Sequence, residues 1–200
     1  MIRWFLFDQA RVQTYDVFSR KDFYSIKEKK FSAKKLESIF YIPEYKKFSV
    51  GEINETKLIS SFLRQKNISL DVKTYIQIFK KGIETIEGME DILKSLSKKY
   101  FLATLINEGS EWANYKLDVS DFRKFFKKNF ISGDLKVAKP NPKIYKIVLE
   151  TLKIKPKECV FIDDEKENCE TAEKLGIKSI IFENPLQLKK ELATLTININ

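Results

Sequence analysis

Acidic side chains follow two apolar segments of the sequence at the point where each segment ends. Asp8 follows the largely apolar residues 2–7, and the pair Asp163 and Asp164 follows the apolar residues 159–162. Carboxylates brought together repel one another unless one binds a proton or a cation lies between them. Mg²⁺ binds a few protein carboxylates together with water and phosphate oxygens. The pattern therefore predicts a site for a hard metal ion formed by Asp8, Asp163 and Asp164. The alternative is that the Asp163 and Asp164 pair only caps the following helix.

The composition narrows the chemistry, because the 200 residues include no histidine. This excludes Ser-His-Asp hydrolysis, Cys-His catalysis and histidine-ligated zinc. The remaining chemistry uses carboxylates, lysines, hydroxyls or a metal held by oxygen. A formal net charge of +9, from 37 Lys and Arg against 28 Asp and Glu, favours anionic partners. A solvated lysine-rich surface explains the same charge without any partner, because the lysines alternate with acidic residues.

The elements that position these residues alternate between strand and helix patterns. Apolar runs predict strands at 2–7, 100–106, 129–132, 159–162 and 178–182, and helical periodicity predicts helices at 88–98, 110–127, 142–152 and 165–175. Strands joined by helices form a parallel sheet, so we expect an α/β fold with a Rossmann-like parallel sheet core. Ligands of such sheets bind at the carboxyl ends of the strands, where Asp8, Asn107 and Asp163 lie. Lys139, before the helix cap Asn141, is expected to join them.

Residues 11–87 differ from the rest of the chain, because they are charged and have helical periodicity. Capping residues precede three of the predicted helices: Ser32, Asn54 and Asp71. We therefore expect a small α-helical domain inserted after the first strand. The predicted division is a core of residues 1–10 and 88–200 and an insertion of residues 11–87.

Two cysteines, Cys159 and Cys169, do not make a disulfide framework, which favours a reducing cytoplasm. The apolar run 2–7 is too short for a signal peptide, and no segment approaches the ~20 apolar residues of a membrane span. The expected location is cytoplasmic, without membrane association.

Four segments, in this order, resemble the motifs of the haloacid dehalogenase superfamily, hydrolases with an aspartate nucleophile. They are residues 5–8, 105–107, 132–145 and 160–168. The third and fourth, with their spacing, are specific, and the resemblance runs over nearly the whole chain. Residues 51–55 (Gly-Glu-Ile-Asn-Glu) are similar to a segment frequent in the helical caps of this family, which makes residues 11–87 the expected cap.

The resemblance implies a phosphatase reaction on a small phosphorylated metabolite. Asp8 attacks the phosphoryl group and forms an aspartyl-phosphate, and Lys139 contacts the phosphoryl oxygens. Mg²⁺ is bound by Asp8, by the main-chain carbonyl of Ala10 and by Asp164. Asp163 either reaches the metal through water or holds Lys139. Water then hydrolyses the intermediate while the cap shields the site.

Two positions depart from the family pattern. Ala10 stands where most such phosphatases have an aspartate that acts as general acid and base, a contribution of roughly 10²–10⁴-fold. Ile106 stands where a Ser or Thr donates a hydrogen bond to the phosphoryl group, which leaves Asn107 and the loop amides near Gly109 and Ser110 to bind it. Without a general acid, hydrolysis is expected only for esters with a good leaving group, such as acyl, anomeric-sugar or aryl phosphates and pyrophosphates.

Three other functions follow from the same residues. A catalytically weakened relative would bind a phosphorylated ligand or a protein through Lys139 and the acidic pair. A dehalogenase needs no metal and usually lacks that pair, so the pair favours phosphate over halide. A nucleic-acid-binding role has only the charge of +9 in its favour, because the sequence contains no recognised basic and aromatic binding motif.

Overall fold

A five-stranded parallel sheet forms the centre of the computed structural model, which describes residues 1–26, 28–195 and 197. The strands of this part of the chain are β1 (Trp4–Phe7), β2 (Phe23–Ile26), β3 (Lys29–Ser32), β4 (Phe101–Ile106), β5 (Lys128–Ile131), β6 (Cys159–Asp163) and β7 (Lys178–Ile181). The sheet has the order β5-β4-β1-β6-β7, while β2 and β3 form a separate antiparallel pair. The predicted α/β class with a Rossmann-like parallel sheet is confirmed.

Helices connect the strands of the sheet and form most of the segment between β1 and β4. Their bounds are α1 (Ala33–Glu37), α2 (Pro43–Ser49), α3 (Glu55–Gln65), α4 (Val72–Lys81), α5 (Met89–Ser97), α6 (Ser110–Val119), α7 (Ser132–Leu135), α8 (Pro142–Leu152), α9 (Lys166–Lys174) and α10 (Pro185–Thr194). The predicted caps are present: the Asn54 side chain accepts from the Lys57 amide and that of Asp71 from the Thr74 amide. Among the described residues, no helix is both long and apolar enough to cross a bilayer.

The central strand β1 is apolar because both of its faces are covered. Phe5 and Phe7 pack into the hydrophobic cluster on one face of the sheet, and Leu6 packs into the cluster on the other. All three side chains are fully buried. A strand buried on both faces reads as a continuous apolar run, so the first polar residue after it lies at the edge of the sheet. That residue is Asp8.

The segment between β1 and α5 has its own aromatic core, which contacts the sheet domain through Trp112 of α6. The Trp112 ring lies 4.2 Å from the Phe79 ring and 4.9 Å from the Phe48 ring, measured between centroids. The Phe48 ring also packs against Gly109, where a Cβ would come within 2.1 Å of the ring. The residue before α6 must therefore be glycine for the two cores to meet.

Two elements differ from the sequence predictions. The inserted segment is not wholly helical, because β2 and β3 pair within it. In β2, Tyr24 is buried and its neighbours are exposed, which is the alternation typical of a strand. The predicted helix 110–127 ends at Val119, and Asp121 then adopts a left-handed conformation with φ 58°. The division into a core of residues 1–10 and 88–200 and a cap of residues 11–87 stays a prediction.

Candidate active site

The carboxyl ends of β1, β4 and β6 place the predicted residues at one edge of the sheet. Phe7 pairs with Thr104 on one side and with Ile162 on the other. The amide of Asp8 continues this register and donates to the Ile162 carbonyl at 2.9 Å. Asp8 is thereby fixed beside the residue that follows Ile162, which is Asp163.

The Lys139 ammonium group lies between two carboxylates. Its Nζ is 2.6 Å from Asp8 Oδ1 and 2.6 Å from Asp163 Oδ2, and the lysine side chain is 1% exposed. Burial lowers the pKa of Lys139, but the charges of Asp8 and Asp163 together outweigh burial and raise it above the ordinary value. The lysine is therefore a fixed positive charge next to Asp8.

Asn107, at the end of β4, holds the main chain of Lys139. Its Nδ2 donates to the Lys139 carbonyl and its Oδ1 accepts from the Lys139 amide, both at 2.8 Å. This paired contact fixes the backbone that carries the ammonium group. The second hydrogen of Nδ2 is not used by the contact, and Asn107 lines the cavity described below. Its role as a phosphate ligand stays a prediction.

Asp163 is fully buried, and both of its oxygens accept hydrogen bonds. Oδ2 accepts from Lys139, while Oδ1 accepts from the Glu165 amide at 2.8 Å and from Asn168 Nδ2 at 3.0 Å. Of the two roles considered for Asp163, the structure shows the contact with Lys139. Its role as a metal ligand stays a prediction.

The three predicted acidic residues do come together. One carboxylate oxygen from each of Asp8, Asp163 and Asp164 lies within 4.8 Å of the others. Burial raises the pKa of Asp8 to about 7, with Lys139 opposing and Asp163 adding to the rise. Burial also raises the pKa of Asp164 to about 6, against the effect of a neighbouring arginine, Arg11. A divalent cation would offset the repulsion, and an all-oxygen donor set fits Mg²⁺. Ala10, the predicted main-chain ligand, lines the same cavity.

Arg11 is a site residue that the sequence interpretation missed. Its Nε lies 3.1 Å from Asp164 Oδ2 and 3.8 Å from Asp16 Oδ1, and its guanidinium also donates to Glu165. Glu165 is 154 positions away in the sequence, so no local pattern indicates the contact. Arg11 has φ 59°, because the chain turns sharply after Asp8.

A cavity of about 470 Å³ opens above Asp8 and Lys139. The core supplies its floor, and the inserted segment supplies the opposite wall with Asp16, Val17, Glu37, Phe40, Tyr41 and Tyr45. Its size suits a small molecule. A molecule bound at Asp8 would therefore contact residues of the inserted segment.

A buried ion pair forms one side of the cavity. Lys116 Nζ donates to Glu108 Oε2 at 3.0 Å, with the two side chains 5% and 2% exposed. Glu108 Oε1 accepts from the Tyr45 hydroxyl and from the Gly109 amide, each at 3.1 Å. The loop amides near Gly109 and Ser110 are predicted to bind the phosphoryl group, but in the structure the Gly109 amide donates to Glu108. The Gly109 amide therefore does not replace the hydroxyl that is lacking at Ile106.

Comparisons with known proteins agree with this geometry. The family model described as haloacid dehalogenase-like hydrolase matches residues 19–182, a range that begins after Asp8 and contains Asn107, Lys139 and the acidic pair. Flavin mononucleotide hydrolase 1 of Arabidopsis thaliana is 28% identical over 153 residues, which are 76% of this chain and 62% of that protein. Phosphorylated carbohydrates phosphatase of Thermotoga maritima is 30% identical over 105 residues, 52% of this chain and 49% of that protein. The aligned regions thus span less than two thirds of either curated relative.

Solved structures show the same fold. An enzyme of the haloacid dehalogenase family from Bacteroides thetaiotaomicron, in complex with magnesium and inorganic phosphate, superposes with a TM-score of 0.72 at 22% identity. The match covers 92% of this chain and 96% of that one. The family-model match covers well over half of the chain and agrees with the parallel sheet and its acidic edge. The chain belongs to the haloacid dehalogenase-like hydrolase family.

Proposed function

We propose that this hydrolase is a Mg²⁺-dependent phosphatase that acts on a small phosphorylated metabolite through an aspartyl-phosphate on Asp8. The observation that carries the proposal is the position of Asp8: its carboxylate faces a cavity, contacts Lys139 and lies beside Asp163 and Asp164. The names of the relatives, a flavin mononucleotide hydrolase and a phosphorylated carbohydrates phosphatase, support phosphate ester chemistry.

The residues of the site have distinct tasks in this reaction. Lys139 contacts Asp8 Oδ1, so Oδ2 is the oxygen free to attack phosphorus. The P–O bond to the leaving group breaks as the bond from Asp8 forms, and water then cleaves the aspartyl-phosphate and releases inorganic phosphate. The Lys139 charge offsets the negative charge of the phosphoryl oxygens. Asp163 and Asn107 keep Lys139 in place.

Mg²⁺ would be held by Asp8, Asp164 and the main-chain carbonyl of Ala10. When bound, it would neutralise charge on the phosphoryl group and on the carboxylates around it. Asp163 is a less available ligand, because both of its oxygens already accept hydrogen bonds. The acidic pair also favours phosphate over the halide chemistry of the same fold.

Release of phosphate from an aryl phosphate tests the proposal. We expect turnover by the wild type with Mg²⁺, loss of turnover in a chelator, and no turnover by Asp8→Asn. The matched control is Asp22→Asn, an exposed aspartate outside the cavity, which should keep wild-type activity. A panel of phosphorylated metabolites then identifies the substrate.

The same experiment distinguishes the runner-up function. If no ester in the panel is hydrolysed but a phosphorylated compound binds in a manner that Lys139→Met abolishes, the chain is a catalytically weakened relative that binds a phosphorylated ligand. Ala10 and Ile106 are the residues that favour this alternative. Turnover that persists in Asp8→Asn would refute the aspartyl-phosphate mechanism.

A further inference from the structure

The leaving group of a phosphate ester needs a proton, and the methyl group of Ala10 cannot donate one. The cavity is lined by six carboxylates: Asp8, Asp16, Glu37, Glu108, Asp164 and Glu165. Four already have partners or tasks. Asp8 is the proposed nucleophile, Asp164 is a proposed metal ligand, and Glu108 accepts from three groups. Glu165 accepts a hydrogen bond from Arg11, whereas Asp16 lies 3.8 Å from the Arg11 Nε, beyond hydrogen-bond distance. Asp16 and Glu37 remain.

The backbone after Asp8 directs Asp16 to the mouth of the cavity. The Gln13 and Thr14 amides both donate to the Gln9 carbonyl, at 2.8 and 3.1 Å, and the Arg11 amide donates to the Thr14 carbonyl at 2.7 Å. This tight turn reverses the chain within a few residues of the nucleophile. Asp16 follows the turn directly, and its carbonyl is fixed by the Ser19 amide and hydroxyl.

Arg11 ties the Asp16 carboxylate to the acidic edge of the sheet. One nitrogen, Nε, lies 3.8 Å from Asp16 Oδ1 and 3.1 Å from Asp164 Oδ2. The two carboxylates therefore converge on the same point. Burial and the Glu108 carboxylate raise the pKa of Tyr45, and the charges of Asp16 and Asp8 raise it further. Both aspartates therefore act on the same hydroxyl in the cavity. The Asp16 side chain is 48% exposed, so it is accessible to solvent.

We propose that Asp16 takes the place of the missing aspartate at position 10 and donates the proton to the leaving group. This inference rests on the proposed phosphatase function. As Asp8 Oδ2 bonds to phosphorus and the ester P–O bond breaks, the leaving oxygen takes the proton of the Asp16 carboxylic acid. The Asp16 carboxylate then takes a proton from the water that attacks the aspartyl-phosphate. That step breaks the bond from phosphorus to Asp8 and returns Asp16 to the acid form.

Two other groups in the cavity are weaker candidates. Tyr45 has its hydroxyl proton directed at Glu108, and its pKa is raised well above 10 by burial and by that carboxylate, so loss of the proton is costly. Glu37 lines the cavity, but among the described residues its carboxylate makes no ion pair with Arg11, whereas Asp16 does. Asp16 is the choice that the contacts support.

Leaving-group dependence tests the role, because a proton donor matters most for a poor leaving group. Rates with Mg²⁺ are compared on an aryl phosphate and on a simple alkyl phosphate for the wild type, Asp16→Asn, Asp16→Glu, Glu37→Gln and the control Asp22→Asn. We expect Asp16→Asn to lose roughly 10²–10⁴-fold on the alkyl ester and less than about 10-fold on the aryl ester. Asp16→Glu should recover part of the alkyl rate, and Asp22→Asn should match the wild type.

Each other outcome overturns the role of Asp16. Equal losses on both esters would show that Asp16 only positions Arg11. A selective loss in Glu37→Gln alone would assign the proton to Glu37. A wild type that already fails on the alkyl ester, with no further loss in Asp16→Asn, would show that the site has no acid. Those three results leave the proposed function intact. A wild type inactive on both esters refutes the proposed function as well. Urea unfolding of each variant confirms that the fold is retained.

Discussion

Replacing Lys139 with methionine isolates the charge that holds the site together. The substitution removes one ammonium group that makes two hydrogen bonds of 2.6 Å and leaves the carboxylates of Asp8 and Asp163 without their counter-ion. Methionine fills similar space, so the effect of a cavity is small. Removing one partner of a buried ion pair costs about 3–5 kcal/mol.

Urea unfolding in the presence of a chelator measures both the stability lost in Lys139→Met and the pH dependence of that loss. With a slope of about 2 kcal/mol/M, the midpoint of Lys139→Met should fall by roughly 2 M at about pH 8. Lys139 lowers the pKa of Asp8, so its loss raises that pKa further above about 7. A native state with a raised carboxyl pKa binds protons that the unfolded chain does not, so its stability falls as pH rises. The difference in stability between the wild type and Lys139→Met should therefore shrink as pH is lowered toward about 5.

Two variants serve as controls for this experiment. Lys143→Met removes an exposed lysine of α8 and should change the free energy of unfolding by less than about 0.5 kcal/mol. Lys139→Met combined with Asp163→Asn should be more stable than Lys139→Met alone, because one unpaired charge has gone. A midpoint for Lys139→Met equal to that of Lys143→Met at high pH would refute the ion-pair reasoning.

Three further predictions concern other groups of the core. Asn107→Ala removes both hydrogen bonds to the main chain of Lys139 and should lower the free energy of unfolding by about 1–3 kcal/mol and slow phosphate release; unchanged turnover would contradict the positioning role. Glu108→Gln leaves the Lys116 charge buried without a counter-ion and should lower the free energy of unfolding by about 3–5 kcal/mol in urea. Adding Lys116→Met to Glu108→Gln should restore most of that loss, whereas additive losses in the double variant would contradict the pairing. Burial raises the pKa of Cys159 and Cys169 to about 12, so a chromogenic disulfide reagent should label neither thiol until the protein unfolds, whereas prompt labelling would contradict the buried placement.

The sheet and its acidic edge could be predicted because the relevant signals are local. Strands covered on both faces are continuous apolar runs, so the polar residue that ends each run marks the carboxyl edge of the sheet. This signal locates Asp8 and Asp163, and Asn54 and Asp71 mark the starts of two helices through their capping bonds. The place of Lys139 before the cap Asn141 indicates that it joins the site, but its contact with Asp8, 131 positions away, is implied only by the family resemblance.

The parts that could not be predicted depend on how the loops fold and which groups they bring together. Arg11 looks like any surface arginine in the sequence, and only the fold brings it to Asp164. Asp16 lies in the segment predicted to be helical, and its place in the cavity follows from the turn after Asp8. The sequence predicts loop amides near Gly109 as phosphate donors, but the Gly109 amide donates to the neighbouring Glu108 side chain. Each of these placements depends on the folded chain and leaves no local pattern in the sequence.

Trapping the covalent intermediate tests the central claim most directly. The wild type is mixed with Mg²⁺ and an aryl phosphate, quenched in acid during turnover, digested and analysed by mass spectrometry. The account predicts one added phosphoryl group on the peptide that contains Asp8, absent without Mg²⁺ and absent in Asp8→Asn. Turnover without any label on that peptide, or a label on a different residue, would contradict the account.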